Sequence, residues 1–246
     1  MYPQTHIYFA ERVLNKRSDI VTLGSILPDM IIGGEVSHLE AHSKGMELYH
    51  LASSDKGILE LGRAIATHGH NPKGLDYYGD EKYQDFVRGY CFEKARIITE
   101  KTVDACNIPQ AMGWWKAHNI IEMGVETIIS AYDDYGERFA SVMGNRQLIN
   151  WVDETLRQMC GNKEVGFISK VDRFTGFIEK DRATAESLAR KFSIHMKLRF
   201  DANVDVKKVA TLIKEGATLV EADLQAFFAV TEGLVRDNIE RLYGSV

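Results

Sequence analysis

Hydrophobic residues recur every three or four positions from the start of the chain. Ile7, Ala10 and Val13 form one stripe behind Thr5. This spacing predicts an amphipathic helix that has Thr5 as its N-cap and ends near Lys16. The same periodicity predicts six further helices. They cover residues 55–67, 81–105, 109–132, 145–160, 181–199 and 205–243, the last with a break near Gly216.

Proline occurs only at positions 3, 28, 72 and 109. Residues 110–246 therefore contain nothing that forbids helical hydrogen bonding, and Pro109 can open a helix because its missing N–H is not needed there. Strand patterns are scarce: residues 165–169 alternate as a short strand would, or begin a helix. The sequence predicts an all-α fold, with a helical core over residues 1–140 and a C-terminal helical part, 141–246, packed on it as one domain.

Composition narrows the possible functions only a little. The 246 residues carry 35 acidic and 30 basic side chains, a net charge of −5, which argues against an extended nucleic-acid-binding surface. No apolar run reaches the roughly 20 residues of a transmembrane helix, and the first residues lack the pattern of a secretion signal, so we expect a cytoplasmic protein. Cys91, Cys106 and Cys160 form no Cys-x-x-Cys pair, which favours buried thiols over a thiolate zinc site.

The histidines are concentrated in the N-terminal half. Seven of the eight precede residue 119, and only His195 follows. This uneven placement indicates a shared role for several of them, although histidines that cap helices or lie at the surface are the alternative. We expect His50 and His195 to be surface or packing residues.

His118 and Glu122 are four residues apart in the predicted helix 109–132, hence on one face of it. The apolar side of that helix is formed by Ala111, Trp115, Val125 and Ile129. A lone carboxylate buried on such a face costs several kcal/mol unless a cation or hydrogen-bond donors compensate. The pair therefore predicts either two metal ligands or a buried His–Glu ion pair, and we favour the metal.

His68 and His70 directly follow the predicted helix 55–67, and the chain then turns through Pro72 to present Asp76. Two imidazoles and a carboxylate suit zinc, which accepts mixed nitrogen and oxygen ligands. The alternative is helix C-capping, because a histidine near a helix C-terminus also satisfies the dipole. We favour His68 over His70 as the ligand.

Asp29 follows Pro28, where the chain leaves an apolar segment. Its carboxylate could bind a metal, act as a general base, or cap the next segment. Shortly afterwards, His38 and His42 would share a face if their segment is helical, although Gly33 and Gly34 precede it.

Several common enzyme motifs are missing from the sequence. It contains no His-Glu-x-x-His, no His-Asp dipeptide, no phosphate-binding loop of the Gly-x-x-x-x-Gly-Lys-Ser/Thr type and no Gly-x-Ser-x-Gly. Zinc-peptidase, His-Asp phosphohydrolase, phosphate-loop and serine-hydrolase mechanisms therefore lack their parts.

The order of the remaining motifs resembles the zinc-dependent phospholipase C and single-strand nuclease superfamily, in particular its bacterial phospholipase C-like branch. The resemblance covers about residues 1–130. It rests on Thr5-His6, on Gly24-Ser25-Ile26-Leu27-Pro28-Asp29, on Ala41-His42-Ser43, on the histidine-rich helix end with its downstream Asp76, and on His118-Asn119-x-x-Glu122.

The resemblance implies a phospholipase C-like helical bundle that holds up to three zinc ions and hydrolyses a phosphate ester with a metal-activated water. It implies His118 and Glu122 as ligands of one zinc, His42 and His68 of a second, His6 of a third, and Asp29 as the proton-accepting or water-orienting acid. Two departures qualify this assignment. Pro72 interrupts the ligand spacing of the family, so His70 and Asp76 are the two candidates for the bridging group, and Met1 stands where the secreted relatives have a chelating N-terminal Trp. We therefore expect two metals rather than three.

The predicted function is hydrolysis of a small phosphate ester, diester or monoester, by two or three zinc ions. A metal-stabilised helical binding protein without turnover is the alternative, and histidines in ordinary structural roles with no metal are the third interpretation. The metal hypothesis requires that His42, His68 and His118 converge in space.

Overall fold

The computed structural model describes residues 1–31, 36–45, 47, 55–159, 166–174 and 179–244. Within these ranges every regular element is helical, which confirms the all-α prediction. The α-helices are α1 (Pro3–Leu14), α2 (Asp19–Gly24), α3 (Leu27–Ile31), α4 (His38–Ala41), α5 (Lys56–Ala66), α6 (Tyr90–Ala95), α7 (Thr99–Cys106), α8 (Gln110–Ile129), α9 (Tyr135–Gly144), α10 (Arg146–Met159), α11 (Phe167–Phe174), α12 (Ala185–Phe200), α13 (Val206–Glu221) and α14 (Leu224–Tyr243). A π-helical turn covers Tyr77–Glu81, and a 3₁₀ turn covers Arg96–Ile98.

Four predicted helices are confirmed to within a few residues at each end. Helix α5 has Asp55 as its N-cap, whose carboxylate accepts hydrogen bonds from the amides of Gly57 and Ile58. Helix α12 has Thr184 in the same role. Helices α8 and α10 match the other two segments. In each case the apolar period and a capping or proline residue indicate the same element.

The predicted start of α1 is wrong by three residues. Thr5 is inside the helix rather than its N-cap, because the helix begins at Pro3 and a distant side chain serves its first turn. The buried carboxylate of Glu126 accepts hydrogen bonds from the amides of Gln4 (2.9 Å) and Thr5 (2.8 Å) and from the Thr5 hydroxyl (2.7 Å). Burial raises the pKa of Glu126, and these hydrogen bonds oppose that rise.

Replacing Glu126 by alanine is expected to lower the free energy of unfolding by about 3 kcal/mol, because two amides at the start of α1 and one hydroxyl lose a buried acceptor. Urea titration followed by circular dichroism measures this. Glu137, which is exposed on α9, is the matched control: Glu137→Ala is expected to change stability by less than about 0.5 kcal/mol. Equal stability of the two variants would contradict the capping role.

The third predicted helix, residues 81–105, is interrupted. Residues 82–89 are not helical, and Gln84 lies in the left-handed region with φ 46°. The segment folds back so that the Asp80 carbonyl accepts a hydrogen bond from the Gly89 amide at 3.0 Å. Helix α6 then starts anew at Tyr90. The apolar period continues through this break, so periodicity alone missed it.

The last predicted helix does break, but not at Gly216. Helix α13 runs through Gly216 to Glu221, and α14 begins at Leu224. Gly216 is instead a contact point with α8, where a Cβ would lie 3.3 Å from the Ile120 carbonyl oxygen. On the facing helix, a Cβ at Gly124 would lie 2.5 Å from the Ala217 amide nitrogen. Glycine is needed there for close helix packing rather than for a turn.

Of the segment 165–169, residues 167–169 form the first turn of α11 rather than a strand, and residue 165 lies outside the described residues. Cys91 and Cys106 are buried thiols as expected, and burial raises the pKa of Cys106 to about 12. His195 lies on α12, and its ring packs against Phe200 with 6.2 Å between ring centroids. The predictions for His50, Cys160, Gly33 and Gly34 lie outside the described residues.

The helices form two compact units. Unit 1 comprises Met1–Thr5, Tyr78–Asp134 and Asp181–Phe228. In it α8 packs against α6, α7 and α13, and α12 packs on α13. Ile120, Ile121 and Val125 of α8 have no exposed surface.

Unit 2 comprises His6–Tyr77, Tyr135–Lys180 and Ala229–Val246. In it α2 packs against α5 and α9, and α3 contacts α4 and α11. Both units take chain from before and after residue 140, and the predicted division at that position stays a prediction. Over the described ranges no helix combines the length and apolar character needed to cross a bilayer.

Candidate metal centre

The turn after α5 places Asp76 beside His68. The chain reverses over residues 67–76, and three backbone hydrogen bonds of 2.8 Å close the reversal, from Gly74 to Gly69, from Leu75 to Thr67 and from Asp76 to His68. The last of these joins the backbones of the two candidate ligands directly. Their separation of eight residues in the sequence is therefore no obstacle to a shared site.

The turn at residues 67–76 also forms hydrogen bonds with the residue that follows α4. The His42 carbonyl accepts hydrogen bonds from the amides of His70 (3.1 Å) and Asn71 (3.3 Å). This approach requires a glycine at position 69, because a Cβ there would lie 2.3 Å from the His42 carbonyl oxygen. Backbone contacts therefore bring His42 to the turn that carries His68 and Asp76.

Backbone carbonyls orient two of the imidazole rings. His68 Nδ1 lies 2.6 Å from the Ser25 carbonyl oxygen, and His42 Nδ1 lies 2.9 Å from the His38 carbonyl oxygen. A carbonyl only accepts, so Nδ1 must carry the proton in each ring. In the neutral rings Nε2 then has the lone pair, which is the arrangement that second-shell hydrogen bonds give to metal-binding histidines.

Three Nε2 atoms face the carboxylate of Asp76. His6 Nε2 lies 3.3 Å from Oδ1, whereas His42 Nε2 and His68 Nε2 lie 3.4 Å and 3.1 Å from Oδ2. Among the described residues, none of these three Nε2 atoms has a hydrogen-bond partner. Ligands bound tetrahedrally at about 2.0–2.1 Å from an ion are roughly 3.3 Å apart. The observed separations fit that spacing.

Asp29, on α3, approaches the same cluster from a more open side. Its Oδ1 lies 3.7 Å from His42 Nε2 and 3.8 Å from His68 Nε2, and its side chain is 31% exposed. Two overlapping sets thus have ligand atoms within 4.8 Å of one another. They are His6, His68 and Asp76, and Asp29, His42 and His68.

The histidines and acids of this cluster shift one another's pKa values because they are buried side by side. Burial alone would lower the pKa of His68, but the carboxylates of Asp76 and Asp29 raise it to about 10. The ring of His6 stacks on that of His68 at 3.6 Å, and burial together with the charge of His68 lowers the pKa of His6 to about 4. Burial would raise the pKa of Asp29, yet His68 and His42 hold it well below its usual value. The positive charge of protonated His68 stabilises the buried carboxylates. A divalent ion would supply positive charge in its place while the imidazoles stay neutral.

His38 and His70 lie next to this cluster. The ring of His38 stacks on that of His42 at 3.9 Å, and the ring of His70 lies 5.5 Å from it. His38 is exposed and His70 is half-buried. Neither belongs to the two ligand sets, whereas His68 belongs to both, and the preference for His68 over His70 stays a prediction.

Unit 1 contains a separate candidate group, Asp80, His118 and Glu122, whose ligand atoms also lie within 4.8 Å of one another. His118 and Glu122 are buried on one face of α8 as expected, but Ala111 and Trp115 are not part of a buried stripe. Trp115 is 42% exposed. The prediction of the buried stripe was wrong at this end of α8, where the buried residues are Gly113, Lys116 and Ala117.

The surroundings of this second group are apolar on one side and polar on the other. The ring of Phe92 stacks on that of His118 at 4.0 Å, and burial lowers the pKa of His118 to about 4 although Glu122 opposes the shift. The α-amine of Met1 lies 3.0 Å from Glu122 Oε1, and Asn119 donates a hydrogen bond to Glu122 Oε2 at 3.2 Å. Glu122 is thus a buried carboxylate between donors.

Asp80 was missed by the sequence reasoning. It lies on the π-helical turn, four residues after Asp76, and π-helical turns are frequent at functional sites. The acid was visible in Tyr77-Tyr78-Gly79-Asp80, just before the predicted helix 81–105, but it was not singled out as a candidate ligand. The tertiary structure places its carboxylate within 4.8 Å of the ligand atoms of His118 and Glu122.

The structure therefore brings His6, Asp29, His42, His68 and Asp76 together within unit 2, and His118 with Glu122 within unit 1. The convergence of His118 with His42 and His68 stays a prediction. Comparisons with family models, with curated proteins and with solved structures give no match to this chain. The resemblance to the zinc-dependent phospholipase C superfamily likewise stays a prediction from its motifs.

Proposed function

We propose that this protein is a zinc-dependent hydrolase of a small phosphate ester. The observation that carries the proposal is the buried meeting of three imidazole Nε2 atoms with one carboxylate, at separations of 3.1–3.4 Å. Two of the rings have their Nδ1 atoms fixed by backbone carbonyls. Mixed nitrogen and oxygen donors of this kind suit zinc.

The two ligand sets of unit 2 share His68, whose single Nε2 lone pair can bind one ion. We assign that ion to His42, His68, Asp29 and Asp76 Oδ2. Asp76 Oδ1 faces His6, so this carboxylate can bridge to a further ion. Asp80, His118 and Glu122 would hold an ion in unit 1. The two ions we expect are those bound through His68 and through His118, and His6 marks the place of a third.

Each residue then has a chemical task. A bound zinc supplies Lewis acidity and a nucleophilic water at neutral pH. The Asp29 carboxylate lies on the accessible side of the cluster and stays ionised because of its histidine neighbours, so it can bind the ion and orient the attacking water. The carbonyls of Ser25 and His38 keep the Nδ1 protons in place and so fix the rings.

A second candidate function is a metal-stabilised binding protein without turnover. The near-complete burial of His6, His42 and His68 favours it, because structural zinc sites are closed to solvent. The 31% exposure of Asp29 favours the hydrolase, since a catalytic ion needs an open position.

Elemental analysis combined with a chelator assay tests the proposal. We expect about two zinc ions per chain, hydrolysis of a chromogenic phosphodiester or phosphomonoester, loss of that activity after chelation and its return on adding zinc. Zinc-replete protein that hydrolyses neither ester would rule out turnover and leave the structural role. Less than one zinc per chain would rule out both metal hypotheses.

A further inference from the structure

An arginine lies beside the candidate metal group of unit 1. The segment 82–89 folds back on the π-helical turn, and the Asp80 carbonyl accepts hydrogen bonds from Arg88 Nε at 3.1 Å and from the Gly89 amide at 3.0 Å. The Arg88 amide in turn donates to Glu93 Oε1 at 3.0 Å. Both the backbone and the side chain of Arg88 are thereby fixed next to Asp80.

The guanidinium of Arg88 is also held over an aromatic ring. Its Cζ lies 4.4 Å from the centroid of the Phe92 ring, and that ring stacks on His118 at 4.0 Å with an interplanar angle of 15°. Arg88 is therefore one ring away from His118 and one hydrogen bond away from the backbone of Asp80. These are two of the three candidate ligands.

Part of the guanidinium remains available for a ligand. Over the described parts of the chain, the acid within ion-pair distance of Arg88 is Glu81, at 3.7 Å from Nη2, which is longer than a hydrogen bond. Both side chains of this pair are exposed by more than a third. An exposed ion pair at this distance contributes little to stability, so the two Nη groups of Arg88 can donate hydrogen bonds to another acceptor.

We propose that Arg88 binds the phosphoryl oxygens of the substrate at the unit 1 metal group, an inference that rests on the proposed function. A guanidinium presents two parallel N–H donors that match two oxygens of one phosphate, and aromatic stacking orients that fork. A terminal phosphate carries two negative charges and a diester carries one, so the guanidinium of Arg88 binds the terminal phosphate more strongly. Arg88 is therefore a specificity-determining residue that favours phosphomonoesters.

Arg96 provides a matched control within the same unit. Its Cζ lies 4.3 Å from the centroid of the Trp114 ring, so it is also an arginine over an aromatic ring. Its Nε and Nη2 are already occupied by Glu93, at 2.6 Å and 3.1 Å. Arg96 thus has the stacking of Arg88 without the contact to Asp80 or to a ring that covers His118.

Calorimetric titration with inorganic phosphate tests the inference without any turnover. The protein is loaded with zinc and freed of excess metal. Arg88→Gln is expected to weaken phosphate binding roughly 10- to 100-fold, the loss of a charge-assisted pair. Arg88→Lys, which keeps the charge without the fork, should fall between Arg88→Gln and the wild type. Arg96→Gln should bind within about twofold of the wild type. Circular dichroism and zinc content establish that each variant is folded and loaded.

Wild-type affinity in Arg88→Gln, or no phosphate binding by the zinc-loaded wild type, would overturn the role of Arg88. If the wild type hydrolyses esters but Arg88→Gln binds phosphate normally, the proposed function stands and the inference fails. If phosphate binding depends on Arg88 but no ester is hydrolysed, the anion site stands and the proposed function fails. In an active protein, Arg88→Gln should raise KM for a phosphomonoester more than for a phosphodiester.

Discussion

Replacing His68 by alanine is expected to remove the metal from unit 2. His68 belongs to both ligand sets there, and its Nε2 lies 3.1 Å from Asp76 and 3.8 Å from Asp29. Loss of an outer hydrogen-bond partner already weakens metal binding by roughly 10- to 100-fold, so loss of a shared ligand should exceed that. We expect the zinc content to fall by at least one ion per chain and hydrolysis to fall at least about 100-fold. Mass spectrometry of the purified protein and the ester assay measure the two effects.

His195→Ala is the matched control for this prediction, because it removes a histidine of α12 that belongs to neither ligand set. It should keep both zinc content and activity. Ser25→Pro would move the carbonyl that orients His68, but it would also alter the backbone. His68→Ala is therefore the cleaner test. Full zinc occupancy in a folded His68→Ala protein would contradict the assignment of unit 2.

Replacing Glu122 by alanine is expected to lower both metal content and activity. Glu122 is buried on α8 with His118 four residues before it and Asp80 within ligand distance. Removal of its carboxylate takes one of three donors from the unit 1 group, so we expect the loss of about one zinc per chain and at least about a 100-fold decrease in hydrolysis. Loss of activity with full zinc occupancy would instead make Glu122 a purely catalytic group.

Glu126 gives this second experiment its control. It lies one helical turn after Glu122, is equally buried, and accepts hydrogen bonds at the start of α1. Glu126→Ala should lose stability but keep its zinc per folded chain, whereas Glu122→Ala should lose zinc. If both variants lose zinc to the same extent, the effect is general destabilisation of α8 and the ligand role of Glu122 fails.

Local patterns were sufficient for much of the helical structure. The period of apolar residues with Asp55 before α5, and with Pro109 before α8, located these helices to within a few residues. The same reasoning failed where a long-range contact replaces a local one. Thr5 looks like an N-cap, but Glu126 serves that end of α1, and Gly216 looks like a break, but it allows α13 to approach α8. A carboxylate 121 residues away leaves no trace in the local pattern.

By itself, the sequence determined the all-α class, the chemistry of the side chains and the pairing of His118 with Glu122, because four residues make one helical turn. It also indicated which histidines and acids to consider. Only the tertiary structure decided that Asp76 meets His6, His42 and His68, that Asp80 lies near His118, and that Arg88 lies over the Phe92 ring that stacks on His118. The turn at residues 67–76 and the fold-back at 82–89 bring these residues together. Both depend on backbone contacts between segments that do not belong to one helix. The spacing of residue types along a helix does not encode the geometry of such contacts.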